Sequence, residues 1–212
     1  DSGQPELMCR HVTELDLASA TLVVGTGLGT SQPAHALLVK TLKAHSHLLL
    51  DADALNLIAT EPALQQLITH RRDAGSITIM TPHPSEAARL LGISTAEIQS
   101  ERLAAARSMA QRFNAVVVLK GAGSIIARTD GYAVVNLTGN PALATGGSGD
   151  VLSGICGALL AQGWSDWHAA LGAVWLHGRA ADILVAQGTG PVGMTAGELI
   201  PVVRSLLNKL TN

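Results

Sequence analysis

Three glycines in four positions, followed by an aspartate, form the stretch of this chain best suited to chemistry: Thr145-Gly146-Gly147-Ser148-Gly149-Asp150. From Asp150 the apolar residues Val151, Leu152, Ile155, Leu159 and Leu160 recur at helical spacing, so a glycine loop is expected to feed a helix over about 150–162. The first turn of a helix leaves backbone N–H groups without intrahelical partners and carries the positive end of the dipole, which makes it an anion site. Glycines let a phosphate chain approach those N–H groups closely, and Thr145 and Ser148 add hydroxyl donors. Asp150 does not belong in a phosphate cradle, because a carboxylate repels bound phosphate. It suits a base that takes the proton from an attacking hydroxyl. Capping its helix is the competing use of such an aspartate.

The elements that must hold this loop alternate. Thr21-Leu22-Val23-Val24 reads as a buried strand ending in Gly25-Thr26-Gly27-Leu28-Gly29, and Pro33 suits the start of a helix. His47 to Leu50 reads as a second strand, delivering Asp51-Ala52-Asp53-Ala54-Leu55-Asn56 to its end. Ser76 to Met80 is a third, followed by Thr81-Pro82-His83-Pro84-Ser85-Glu86 and a helix from about Ser85. One long helix is expected over 95–113. Ala115 to Lys120, Ser124 to Ala127 and Tyr132 to Val135 are short strands, the last two a hairpin across Asp130-Gly131. The remainder reads as helices over 166–187 and 196–207, the first apolar nearly all round. Such a pattern predicts an α/β sandwich with a largely parallel sheet, whose ligands bind beyond the carboxyl ends of the strands, where Gly25, Asp51, Thr81 and Lys120 fall.

Composition excludes several classes. The 212 residues are 47% hydrophobic and 14% charged, too apolar for a disordered chain. With a net charge of −2 and 2% aromatics, neither a basic patch nor a stacking platform for nucleic acid is expected. Cys9 and Cys156 lack metal-ligand spacing and point to a reducing, cytoplasmic setting. No apolar run is expected to reach membrane-spanning length. Asp1 is not a methionine, and further residues are expected upstream of it.

Five motifs in order support a resemblance: Gly25-Thr26-Gly27-Leu28-Gly29, Asp51-Ala52-Asp53-Ala54-Leu55-Asn56, Thr81-Pro82-His83-Pro84-Ser85-Glu86, Lys120-Gly121-Ala122-Gly123 and Ala144 through Asp150. Their order and spacing resemble those of the ADP-dependent NAD(P)H-hydrate dehydratases, from about Pro5 to Leu207. The resemblance implies a single ribokinase-like domain over 1–212, a three-layer α/β/α sandwich whose largely parallel sheet has some antiparallel strands, here without the family's N-terminal strand, loop and helix. It implies repair of NADH or NADPH hydrated at C6: ADP, or ATP, phosphorylates the C6 hydroxyl and the phosphate leaves. By the same resemblance Asp150 is the catalytic base. Gly27, His83 and Asp150 hold the hydrated dinucleotide, and Lys120, Gly121, Ala122, Gly123 and Ser124 bind the adenylate. Gly146, Gly147, Ser148 and Gly149 face the nucleotide phosphates, with Gly149 a further adenylate contact. Glu86 would organise Mg²⁺ through water, although a first-turn glutamate is also stabilising without metal.

Asp51 and Asp53 are open between structural and site-lining roles, Asn56 suits a helix cap, and His83 could bond only to nearby backbone. His177 reads as packing. The family's Gly-Met after Asn-Pro is Ala142-Leu143 here. A cytoplasmic homotetramer, fused to or working with an NAD(P)H-hydrate epimerase, is the implied setting. The alternative is a ribokinase-like kinase for a sugar, hydroxymethylpyrimidine or hydroxyethylthiazole, which would use the same loop and Asp150 but leave a stable phosphate ester. A non-catalytic nucleotide-binding module is disfavoured, since it would be expected to have lost Asp150 or the glycines.

Overall fold

The computed structural model describes residue 4 and residues 7–210. Asp1, and Pro5 where the resemblance starts, lie outside the described residues. Six strands form one sheet in the order of the sequence: β1 (Leu22–Val24), β2 (Leu48–Leu50), β3 (Thr78–Met80), β4 (Val116–Leu119), β5 (Ile125–Ala127) and β6 (Ala133–Val135). β1 to β4 are parallel, and β4, β5 and β6 pair antiparallel as the hairpin signal predicts. The continuous apolar runs of β2 to β5 follow from burial on both faces; β1, expected to be buried, is only half-buried at Leu22 and Val24 and leaves Val23 39% exposed. Leu48, Leu50, Met80, Val117 and Leu119 point into one core, while Leu49, Ile79, Val116, Val118 and Ile126 point into the other.

The first core is roofed by helices that connect the strands: α1 (Gln32–Lys43), α2 (Ala52–Thr60), α3 (Pro62–Asp73), α4 (Pro84–Leu91), α5 (Thr95–Ser100) and α6 (Arg102–Phe113). The second is roofed by α7 (Ser148–Ala161), α8 (Asp166–Ala186) and α9 (Leu199–Leu210). This is the expected three-layer sandwich.

Four local expectations need correction. The helix expected over 95–113 is two, broken at Glu101, whose backbone leaves the helical region (φ −128°, ψ 46°). The sequence reading passed over α3. Asn56 caps nothing: it lies inside α2, where Asp51 is the cap, and its Oδ1 accepts from Arg89. The helix expected over 196–207 begins as a 3₁₀ turn, Ala196–Glu198, and α9 follows.

Membrane-spanning length also turns out differently. At 21 residues with mean hydropathy 1.2, α8 is long and apolar enough to cross a bilayer by length and composition alone. Most of its apolar window is buried, and it packs against α7, α9 and the sheet through Ala169, Ala173, Leu176 and Ala180, as a core helix does.

Candidate active site

The loops after β1, β2, β3 and β4 and the start of α7 meet at one edge of the sheet, and the bonds between them begin at Asp51. Its carboxylate is 1% exposed. Oδ1 accepts from the Ala52 N–H and from Lys120 Nζ, the latter at 2.7 Å, and Oδ2 accepts from Ser153 Oγ in α7 at 2.7 Å. A buried carboxylate is costly unless its lone pairs are matched, and here they are. Gly25 follows from the same packing: it has φ +128°, and a Cβ there would sit 1.7 Å from the Asp51 carbonyl oxygen. Asp53 braces the rest of that loop, its Oδ2 accepting from the Gly29 N–H at 2.8 Å. Both aspartates of the motif are therefore structural in this arrangement.

Thr81-Pro82-His83-Pro84 builds the next wall. His83 Nδ1 accepts from the N–H groups of Ser85 and Glu86, and the Glu86 carboxylate accepts from the His83 N–H at 2.7 Å, a reciprocal capping box on α4 with proline at its first position. Glu86 is 4% exposed, and its Oε1 lies 3.1 Å from His83 Nε2. Burial alone would raise its carboxyl. The hydrogen bonds from the His83 ring and backbone, with Lys120 at 3.9 Å, outweigh that and hold it below the usual range. Both Glu86 oxygens thus have protein partners, and among the described residues no three His, Cys, Asp or Glu side chains converge as metal ligands. These residues do not form a direct Mg²⁺ site.

α7 begins at Ser148, two residues earlier than expected, with Gly147 at its N-cap in the left-handed region (φ +81°) and no side-chain cap. Asp150 is consequently the third residue of the helix and caps nothing. It is exposed, and its carboxylate has no hydrogen bond or ion pair among the described residues. The N–H groups of Gly146, Gly147, Gly149 and Asp150 likewise donate to no group within the described chain. The Lys120 ammonium lies beneath this turn, 3.5 Å from where a Gly149 Cβ would stand, and adds its charge to the helix dipole. An apolar hollow of about 430 Å³, lined by Asp150, Val151, Gly154, Ile155, Ile200 and Val203, opens beside the Asp150 carboxylate.

Ser148 departs from the expected pattern. Its hydroxyl turns inward and shares a 3.2 Å hydrogen bond with His177 Nε2, and both residues are buried. His177, read as packing, also anchors the glycine loop. Burial pushes its pKa down to about 4; the Ser148 contact opposes the shift and the charge on Lys120 adds to it, so the ring is neutral at pH 7. Gly27 lies in the exposed loop after β1, and Gly121 and Ala122 lie exposed in the β4–β5 turn, which Gly123 and Ser124 complete. Sequence reasoning missed Ser153, whose only signal is its position one helical turn after Asp150, and Arg102, which carries no motif.

Comparison with known proteins shows the family. The family model described as NAD(P)H-hydrate dehydratase matches residues 2–204. A Neisseria meningitidis protein named ADP-dependent (S)-NAD(P)H-hydrate dehydratase is 45% identical over 99% of this chain and 71% of its own length. A Coxiella burnetii protein named bifunctional NAD(P)H-hydrate repair enzyme is 44% identical over 97% of this chain, which spans 41% of that relative. Among solved structures, the Bacillus subtilis ADP/ATP-dependent NAD(P)H-hydrate dehydratase co-crystallised with ATP and Mg²⁺ superposes with a TM-score of 0.78 at 31% identity, covering 91% of this chain and 68% of the other. The fold is the ribokinase-like one expected from the motifs. With the family model matching residues 2–204 and a relative 45% identical over 99% of the chain, the chain belongs to the NAD(P)H-hydrate dehydratase family.

Proposed function

We propose that this chain dehydrates (S)-NADHX and (S)-NADPHX to NADH and NADPH at the expense of ADP, ATP being the alternative donor. The observation that carries the reading is the pairing at the start of α7: unpartnered backbone N–H groups beside an exposed carboxylate without a partner. Asp150 takes the proton of the C6 hydroxyl, and the freed oxygen attacks the terminal phosphorus of the nucleotide, whose phosphoanhydride bond breaks so that AMP leaves from ADP, or ADP from ATP. The N–H groups of Gly146, Gly147 and Gly149, with Lys120 beneath them, stabilise charge developing on the transferred phosphoryl group. The resulting phosphate is a far better leaving group than hydroxide. Its departure from C6, with loss of a C5 proton, restores the ring double bond.

In this reading the apolar hollow beside Asp150 walls the ring that carries the hydroxyl, and Gly27 and His83 line the dinucleotide. The β4–β5 turn from Lys120 to Ser124 receives the adenylate, with Lys120 serving through its charge. Mg²⁺ enters on the nucleotide phosphates, which need few protein ligands. A cytoplasmic homotetramer working with an NAD(P)H-hydrate epimerase completes the proposal; the bifunctional name of the Coxiella relative supports that partnership.

The test is absorbance at 340 nm after mixing the protein, Mg²⁺ and ADP with hydrated NADH. Recovery of the reduced-nicotinamide band only with nucleotide is the expected result. Consumption of nucleotide with a stable phosphate ester and no recovery would favour the small-molecule kinase.

A further inference from the structure

We propose that Arg102 is a positioning residue for the nucleotide, setting the β4–β5 turn so that its backbone N–H groups face the ligand; this rests on the reading that the turn receives the adenylate. Arg102 is the first residue of α6, directly after the break at Glu101. Its Nη2 donates to the carbonyl oxygens of Leu119 at 3.4 Å, Lys120 at 3.4 Å and Gly123 at 3.3 Å. Its Nη1 donates to the Lys120 carbonyl at 3.5 Å and to Gln99 Oε1 at 3.1 Å. Three backbone oxygens converging on one point repel each other unless a cation with several donors sits among them, and a planar guanidinium meets that need where an ammonium does not.

Peptide planarity carries the effect across the turn. In a trans peptide the C=O of one residue and the N–H of the next point in opposite directions, so a carbonyl fixed on one side fixes the following N–H on the other. Arg102 holds the Lys120 carbonyl, which directs the Gly121 N–H away from it. Ser124 Oγ donates to the Gly121 carbonyl at 3.0 Å, which does the same for Ala122. The Lys120 N–H, opposite the held Leu119 carbonyl, donates to Pro82 O at 2.9 Å. Among the described residues the N–H groups of Gly121, Ala122 and Gly123 donate to nothing within the chain. Such a run of outward N–H groups is an acceptor-binding concavity. Gly121 serves both sides of the device: it takes φ +141°, and a Cβ there would stand 2.8 Å from Arg102 Nη1. The geometry makes the ligand face of the turn a consequence of what is bound behind it.

The test compares Arg102→Ala and Arg102→Lys with the parent protein by calorimetric titration of ADP and by steady-state kinetics. Arg102→Ala is expected to weaken ADP binding and raise the KM for ADP about tenfold, with the KM for the hydrated dinucleotide and kcat little changed. Arg102→Lys should fall between, and millimolar guanidinium should restore ADP affinity to Arg102→Ala. Should Arg102→Ala fail to fold, the lysine variant, which keeps the charge and loses the fork, still reads the effect. Parent-like ADP affinity in both variants would overturn the assignment, as would equal losses for both substrates without guanidinium rescue. A parent protein that binds no ADP would overturn instead the nucleotide reading beneath it.

Discussion

Asp51 and Asp150 stand near the N-termini of two helices on the same edge of the sheet, yet their surroundings are opposite. Asp51 is buried and its oxygens are taken by a backbone N–H, an ammonium and a hydroxyl. Asp150 is exposed and its oxygens are free of partners among the described residues. A buried carboxylate with both oxygens engaged is poorly placed to take a proton from substrate without disturbing the structure that holds it; one that is exposed and free of partners can. One residue type thus supplies both a buried strut and a free, exposed carboxylate, and only environment divides them.

The contrast is broken most directly at the strut. Replacing Asp51 with alanine leaves Lys120 largely buried without its main partner and should cost about 3–5 kcal/mol of stability, read by urea unfolding. Parent-like stability would mean that Asp51 is not the hub of the site. Asp150→Asn should do the reverse. Turnover is expected to fall about 10²-fold or more, while the ADP dissociation constant and the melting temperature stay near those of the parent; equal loss of binding and rate would remove Asp150 from the role of base.

His177 sharpens the same contrast through pH. Its folded pKa of about 4 lies below the ordinary histidine value of 6.5, so between these values the unfolded chain holds a proton that the folded chain refuses. That stability is fully present above pH 6.5 and is lost as pH falls toward 4, by up to about 3 kcal/mol. His177→Asn should flatten the slope of unfolding free energy across that window, and an unchanged slope would show the ring to be solvated. The smallest expected effect on binding belongs to Lys120→Met, in which ADP binding should weaken roughly fivefold as an added point charge is lost, while stability falls as it does in the Asp51 variant because the same buried pair is broken. Titration calorimetry reads it, and an unchanged constant would remove Lys120 from the nucleotide site.

The strands and site loops were legible in the sequence because their signals are local. Val116 to Leu119 is a strand in any buried context, and Gly146-Gly147-Ser148-Gly149 punctuates the chain by composition alone. What was not legible depends on distant partners. Arg102 is an ordinary surface-helix residue until the carbonyls of Leu119, Lys120 and Gly123 arrive from the next strand, and His177 is an apolar-helix residue until Ser148 turns toward it. α3 escaped because only Leu64 and Ile68 among its apolar residues are fully buried, too few for a clear periodic face. The break at Glu101 carries neither glycine nor proline, the usual marks of a helix end. Asp150 was read as the start of its helix because Ser148 and Gly149 are not apolar; backbone hydrogen bonding, not side-chain pattern, begins α7 there.

The strand order, simple as it is, has a consequence for how the molecule comes into being. Because β1 through β6 lie side by side in the order of synthesis, each strand leaving the ribosome meets a neighbour already made, and the pairing contacts stay short in sequence. α7 is the exception. It returns to the first of the described strands, where Gly157 packs so close to Val23 that a Cβ would fall 2.3 Å from its Cγ2, and where Ser153 reaches back to Asp51. A chain halted at Gly147 would hold the six described strands and none of the helix that carries Asp150. The face of β1 and β2 that α7 packs on is therefore covered only once synthesis has passed the crossing back.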